Sequence, residues 1–186
     1  MDAAREHFLR VGFDRAVNRE IAAQAGVTGA AIYQHFSSKA ELFVAVASEA
    51  IDELVPRLRE VAEAAPSARA ALVAIVKAQW HSEQEAWKSR FLASVPIEMQ
   101  RNPEVAQALV AQPGTFFALI LDVVRRGVRE GEIAQENAER VLALFIAAQI
   151  GLSIHSTIIG GPHSRAAIDG FLALLEGELF ASRAKT

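Results

Sequence analysis

Few side chains in this 186-residue sequence could do chemistry, and their types narrow the field quickly. There is no Cys, which excludes disulfides, thiolate zinc sites and a cysteine nucleophile. No G-x-S-x-G, H-E-x-x-H or Gly-rich phosphate loop occurs. His81 and Glu85 stand four apart, a spacing that offers two metal ligands on a helix. With no further ligand they read as a surface hydrogen bond. An enzyme, a metal site and a cofactor are therefore not expected. What remains is recognition. Trp80, Gln84, Trp87 and Phe91 recur at helical spacing, and Phe117, Ile120 and Gln149 on later helices could face them. Apolar walls with a few polar groups suit a small apolar or aromatic molecule carrying an amide-reachable group. The same stripe also fits a packed core with Trp at its edge.

A second group lies in Arg19–Leu42, REIAAQAGVTGAAIYQHFSSKAEL. It reads as two helices, each too short to be stable alone in water, separated by a single turn. Ile21, Ala22, Ala25, Gly26, Val27 and Ile32 form a helix-turn-helix signature. Ala22 is small where the second helix crosses close. Gly26 permits the positive φ of a tight turn. Val27 and Ile32 are expected to fill the wedge, with Phe8 and Phe36 supporting it from flanking helices. Such a wedge holds its second helix proud of the surface, where its N-terminal residues can face base edges in a major groove.

The elements that must position these groups read as helices throughout. Ala, Leu, Glu, Arg and Gln dominate and strand-like alternation is absent. Helix one spans Asp2–Val11 and stops at Gly12; helix two spans Val17–Gln24. Thr28 caps a third helix running to about Gln34. Ser38-Lys39-Ala40-Glu41 is a capping box that opens a long fourth helix, with Leu42, Val46, Ala50, Leu54, Leu58 and Val61 on its apolar face and Pro56 inside it. A fifth helix starts at Pro66-Ser67 and runs into the Trp-rich stretch. Asn102-Pro103-Glu104 starts another. Helices from about Thr115 to Gly131, from Gln135 or Glu136 to Ile158, and from the Gly160-Gly161-Pro162 loop to about Ser182 complete the chain.

Hydrophobic residues make up 52% and charged residues 22% of the sequence, an ordinary globular composition, and the formal net charge is -3. Nucleic-acid binding must then come from a local patch. The N-terminus lacks the pattern of a signal peptide. Val141–Ile159 approaches membrane-span length, but Gln149, Ser153, His155, Ser156 and Thr157 interrupt it. It reads as a helix buried at a subunit interface, with no membrane, in a cytoplasmic protein.

The run G-F-D-x-x-x-x-R-E-I-A-x-x-A-G-V-T-x-A-x-I-Y-Q-H-F-x-S-K-A-E-L, from Gly12 to Leu42, resembles the DNA-binding domain of the tetracycline-repressor (TetR) family. The resemblance covers roughly the first quarter of the chain. It implies an all-α, homodimeric repressor released from a double-stranded operator by a small-molecule effector. A three-helix DNA-binding domain at residues 1–47 would precede a helical ligand-binding and dimerisation bundle at residues 48–186. Thr28, Tyr33, His35 and Lys39 match family positions that touch DNA, and the Thr, Tyr and Lys groups suit phosphate oxygens. Gly29 and Ala30 open the same helix. Gln34 is the candidate for base readout, since its amide can pair bidentately with adenine.

Three departures accompany the resemblance. The family's hydroxyl near Ala16-Val17 is absent, and Asn18 stands where an apolar residue is usual, as a candidate cap and DNA contact. Gly29 replaces a frequent Lys or Arg. No basic arm precedes helix one, so minor-groove contact is not expected. Over residues 1–47, Arg5, Arg10, Arg15, Arg19 and Lys39 are balanced by Asp2, Glu6, Asp14, Glu20 and Glu41, so non-specific binding should be weak. The last two long helices are expected to pair with their copies as a four-helix bundle. Ala167, Gly170, Ala173, Leu174 and Gly177 would give close approach on the last one. A helical interaction adaptor without operator binding is the rival reading.

Overall fold

The computed structural model describes residues 1–80, 86–110, 116–159 and 161–179, without the side chains of 86–90, 93, 110, 157–158 and 161–162. Among the described residues the chain is all-α, with no strand. The helices are α1 (Asp2–Val11), α2 (Asn18–Gln24), α3 (Gly29–His35), α4 (Lys39–Ala64), α5 (Ala68–Trp80), α6 (Ala86–Arg101), α7 (Pro103–Val110), α8 (Phe116–Arg129), α9 (Ala138–Ile158) and α10 (Gly161–Glu176). A 3-10 turn at Gln135–Asn137 leads into α9.

Two compact units are present. The first joins residues 1–53 to 87–113, and the second joins 54–86 to 114–186. The boundary at Glu53 and Leu54 falls within α4, which continues through Pro56.

The first unit is organised by aromatic rings. Phe43 of α4 stands edge-on to Phe8 of α1 at 5.3 Å and to Phe13 at 5.1 Å between centroids. Phe91 of α6 closes on Phe43 at 5.0 Å and is 1% exposed. Val95 of α6 and Val105 and Leu109 of α7 join the same core as Ala4, Ile21, Ala22 and Ile32. Edge-to-face and offset ring pairs add about 0.5–1.5 kcal/mol each to what their burial contributes.

This arrangement corrects the single aromatic stripe expected on a fifth helix. Trp80 is the last residue of α5, while Trp87 and Phe91 belong to α6. Periodicity identifies an apolar face but not the core that receives it. Phe91 is claimed by the rings of Phe8 and Phe43.

In the second unit Ile75, Val76, Leu119, Ile120, Val123 and Val124 are buried. The start of α5 is fixed by three acceptors. Ser67 Oγ receives Ala70 N–H, and the Glu132 carboxylate receives Ala68 N–H and Arg69 N–H at 2.9 and 3.1 Å. These satisfy donors that a helix N-terminus leaves without partners. The Arg126 guanidinium ties the end of α4 to this cap by donating to the carbonyls of Ala62 and Ser67.

The last helix ends earlier than Ser182. Gly177 has φ 79°, and Gly177 N–H and Glu178 N–H return to the carbonyls of Leu174 and Ala173, closing α10 at Glu176. Gly177 is thus the helix stop rather than part of the helical face.

Candidate nucleic-acid interface

The turn between α2 and α3 sets the geometry. Gly26 takes φ 70°, Gly26 N–H donates to Ala23 O and Val27 N–H donates to Ala22 O at 3.0 Å. This paired closure needs the left-handed conformation that glycine adopts without strain. Ala22 and Ile32 are buried at the crossing, as the sequence predicts. Val27 is not: its N–H closes the turn and its side chain is 48% exposed.

Thr28 caps α3, its Oγ1 accepting Ala31 N–H at 3.2 Å. The hydroxyl lies beside the exposed start of the helix. Ile32 alone anchors α3 deeply. Ala30, Tyr33, Gln34 and His35 are exposed, Tyr33 by 60%, so they form one outward face. Gly29 is half-buried, yet a Cβ there would meet nothing within 4 Å. Packing therefore does not require glycine at that position.

Asn18 differs from the expectation placed on it. It is the first residue inside α2, Val17 precedes it as cap residue, and no side chain caps this helix. The Asn18 amide is buried, with no hydrogen bond to Oδ1. It neither caps nor faces outward with the α3 group.

The fourth helix begins on the Ser38 cap. Glu41 N–H donates to Ser38 Oγ at 3.1 Å, and Glu41 Oε2 accepts from Ser37 N–H at 2.6 Å and Ser37 Oγ–H at 2.7 Å. The carboxylate thus reaches one residue further back than a simple capping box would place it. These bonds from Ser37 hold the Glu41 carboxyl below its ordinary range. Lys39, in the first turn, donates from Nζ to Asp14 O at 3.1 Å and sits 4.6 Å above the Phe13 ring. An ammonium carries three donors, so this seat leaves capacity for a phosphate oxygen.

Among the expected ligand residues, Trp80 and Gln149 meet directly. Trp80 Nε1–H donates to Gln149 Oε1, and Gln149 Nε2–H donates to Gln79 Oε1, both at 3.2 Å. Gln149 is 4% exposed, and Ile120 is also buried in this unit. Phe117 is 52% exposed and Phe91 lies in the core of the first unit. Gln84 and the side chain of Trp87 lie outside the described residues. A groove of about 770 Å³, formed by Leu72 of α5, Leu144 and Phe145 of α9, and Phe171 and Leu174 of α10, contains none of the expected ligand residues. Sequence reading missed this groove because its walls come from three helices whose mutual packing periodicity does not give.

Residues 1–46, which build this interface, match the model of a family described as bacterial regulatory proteins, tetR family. That match takes in the first quarter of the chain. The chain is 42% identical over 121 residues to the HTH-type transcriptional activator FasR of Mycolicibacterium smegmatis, covering 63% of this chain and 55% of FasR. The chain thus spans about half the length of that relative. It is 28% identical over 137 residues to the HTH-type transcriptional regulator UidR of Escherichia coli, covering 73% of this chain and 68% of UidR. In fold it is similar to the transcriptional regulator FadR of Bacillus subtilis, solved in complex with stearoyl-CoA. That match has a TM-score of 0.76 at 19% identity and covers 96% of this chain and 97% of FadR.

Proposed function

We propose that this chain is a ligand-responsive transcriptional regulator that binds a palindromic DNA operator as a homodimer and acts as a repressor. The observation that carries the reading is the outward face of α3: Thr28, Ala30, Tyr33, Gln34 and His35 point away from the core while Ile32 holds the helix from behind. Tyr33, Thr28 and Lys39 take phosphates and fix the register; Gln34 reads a base edge. Repression follows where the operator overlaps a promoter; the same binding beside a promoter would serve activation, the role named for FasR.

Dimerisation uses α9 and α10. The stretch Gln135–Ser156 is long and apolar enough to cross a membrane by length and composition, and only 22% of its apolar 18-residue window is buried within one chain. Ala143, Leu144, Ala147 and Gly151 are exposed along one side of α9. An apolar face of that breadth needs a cover. A second copy supplies one isologously, and the groove bounded by Leu144 and Leu174 closes with it. Covering by a second copy rather than lipid is favoured by Arg140 on the same exposed side and by the buried Gln149 amide.

The effector is an apolar or aromatic molecule whose polar group competes for the Trp80–Gln149–Gln79 amide chain. An acyl chain, as in the stearoyl-CoA bound by FadR, belongs to that apolar class. Binding shifts α4 and with it the two recognition helices, and only a difference in affinity between the two states can drive the shift. The test is displacement of selected operator DNA by candidate ligands, followed by Trp fluorescence. A releasing ligand should change Trp emission and bind more weakly to Gln149→Leu; release without either change would place its site elsewhere.

A further inference from the structure

Three arginines lie along the second half of α8, and their partners differ. Arg126 is committed: its guanidinium donates to the carbonyls of Ala62 and Ser67 and lies 3.8 Å from Glu130. Arg125 and Arg129 are exposed and make no hydrogen bond or ion pair among the described residues. They stand four residues apart, so their side chains leave one face of the helix about 5–6 Å from each other. The dipole at the end of α8 favours cations in this turn. It does not account for what the two arginines border, an apolar groove of about 440 Å³ between α8 and the start of α9. The floor of the groove includes Leu121, Val128 and Leu142, all half-buried. Glu139 is the only carboxylate among its lining residues, and neither arginine pairs with it.

This groove is separate from the surfaces described above. It shares no residue with the Trp80–Gln149–Gln79 chain or with the larger groove beside α10. Ala138 and Leu142, which line it, lie about 140° round α9 from Ala143 and Ala147 at 3.6 residues per turn. A second copy seated on the exposed side of α9 would therefore leave it uncovered. An aliphatic floor offers area to an apolar body but no direction. Two guanidiniums without partners at its edge select an anion, since each presents a planar fork of donors that matches a carboxylate or a phosphate. The volume lies within the range of small-molecule clefts. We propose that the α8–α9 groove is a binding site for an amphipathic anion, a small molecule with an aliphatic body and one carboxylate or phosphate head held by Arg125 and Arg129. Glu139 opposes that head and limits its affinity.

The test is a methyl NMR titration of the full chain with three probes of equal chain length: octanoate, octyl phosphate and the uncharged octanol. At least one anion should move the methyl signals of Leu121, Val128 and Leu142 and bind more tightly than octanol. Arg125→Gln and Arg129→Gln should each weaken that anion by about three- to fivefold, the scale of one exposed charge contact, and leave octanol unchanged. Glu139→Gln should act in the opposite direction and tighten it. All three substitutions fall on exposed side chains, and thermal melting checks that each variant folds. Tighter binding of octyl phosphate assigns a phosphate head and tighter binding of octanoate a carboxylate; either supports the site. Equal affinity for the anions and octanol would overturn the proposal, as would unchanged anion affinity in both arginine variants or weaker anion binding in Glu139→Gln. So would shifts confined to Leu144 and Leu174, or no binding of either anion at millimolar concentration.

Discussion

The indole N–H of Trp80, the last residue of α5, donates to the side-chain oxygen of Gln149 in the middle of α9. Because Gln149 also donates to Gln79, its buried amide is satisfied at both ends. Gln149→Ala should therefore leave two partners without their bonds and cost about 1–3 kcal/mol, the usual penalty for an orphaned buried polar group. Urea unfolding followed by circular dichroism measures it. An unchanged midpoint would mean that solvent already serves these groups.

Phe91 offers a contrast. Its ring is buried against Phe43 and Phe8. Phe91→Ala should cost about 3–5 kcal/mol through the cavity it leaves. The loss should appear in the unfolding of the first unit and in affinity for the proposed operator. A variant with unchanged stability but altered ligand affinity would return Phe91 to a binding role.

Parts of this architecture are written locally and parts are not. Gly26, Thr28, Ser38 and Glu41 act on residues one to four positions away, so turn and cap chemistry exposes them in the sequence. Ile32 and Ala22 are likewise legible, because they face each other's helix across one short turn. The destination of Phe91 is decided by a core built from α1 and α4, far along the chain, and helical spacing carries no record of that choice. Glu98 was invisible for the same reason. In IEMQRN it looks like a solvated acid, and only the fold buries it. Val27 misled in the opposite sense, since its backbone rather than its side chain serves the turn.

Two carboxyls should impose opposite pH dependences on stability. Glu41 is held below its ordinary value near 4.5 by Ser37, so its contribution is present above that pH and is lost as pH falls through the lowered folded value. Glu98 is raised by burial, so the folded state gains from its proton. That stability is present below about pH 4.5 and is lost as pH rises through the raised folded value. Glu41→Gln should therefore lower the melting temperature at neutral pH, and Glu98→Gln should raise it. Both differences should shrink as pH approaches and passes below the carboxylate range. Melting curves from pH 3 to 8, about the range that brackets both groups, provide the check.

Gly29 marks an interface that charge can strengthen. A side chain there meets open space. Gly29→Lys should tighten binding to all duplexes and steepen the salt dependence of log K by up to about 0.9, the increment for one added phosphate contact. An unchanged salt slope would show that this end of α3 does not approach the backbone.

The exposed side of α9 should tolerate no charge at its centre. Ala147→Glu is expected to convert a micromolar dimer to monomer in sedimentation velocity, while Arg140→Gln, nearer the helix start, should not. A monomeric parent chain would remove the proposed two-fold symmetry and with it the reason for a palindromic site.

Selection of bound duplexes from a randomised pool tests most directly whether α3 reads DNA. The parent chain should recover an inverted repeat with half-sites about one helical turn apart, or a multiple of that spacing. Gln34→Ala should change the base preference within each half-site, whereas Tyr33→Ala should weaken binding to all sequences alike while keeping the same preference. Recovery of no enriched sequence by the folded dimer, or an identical motif and affinity for all three proteins, would contradict the account.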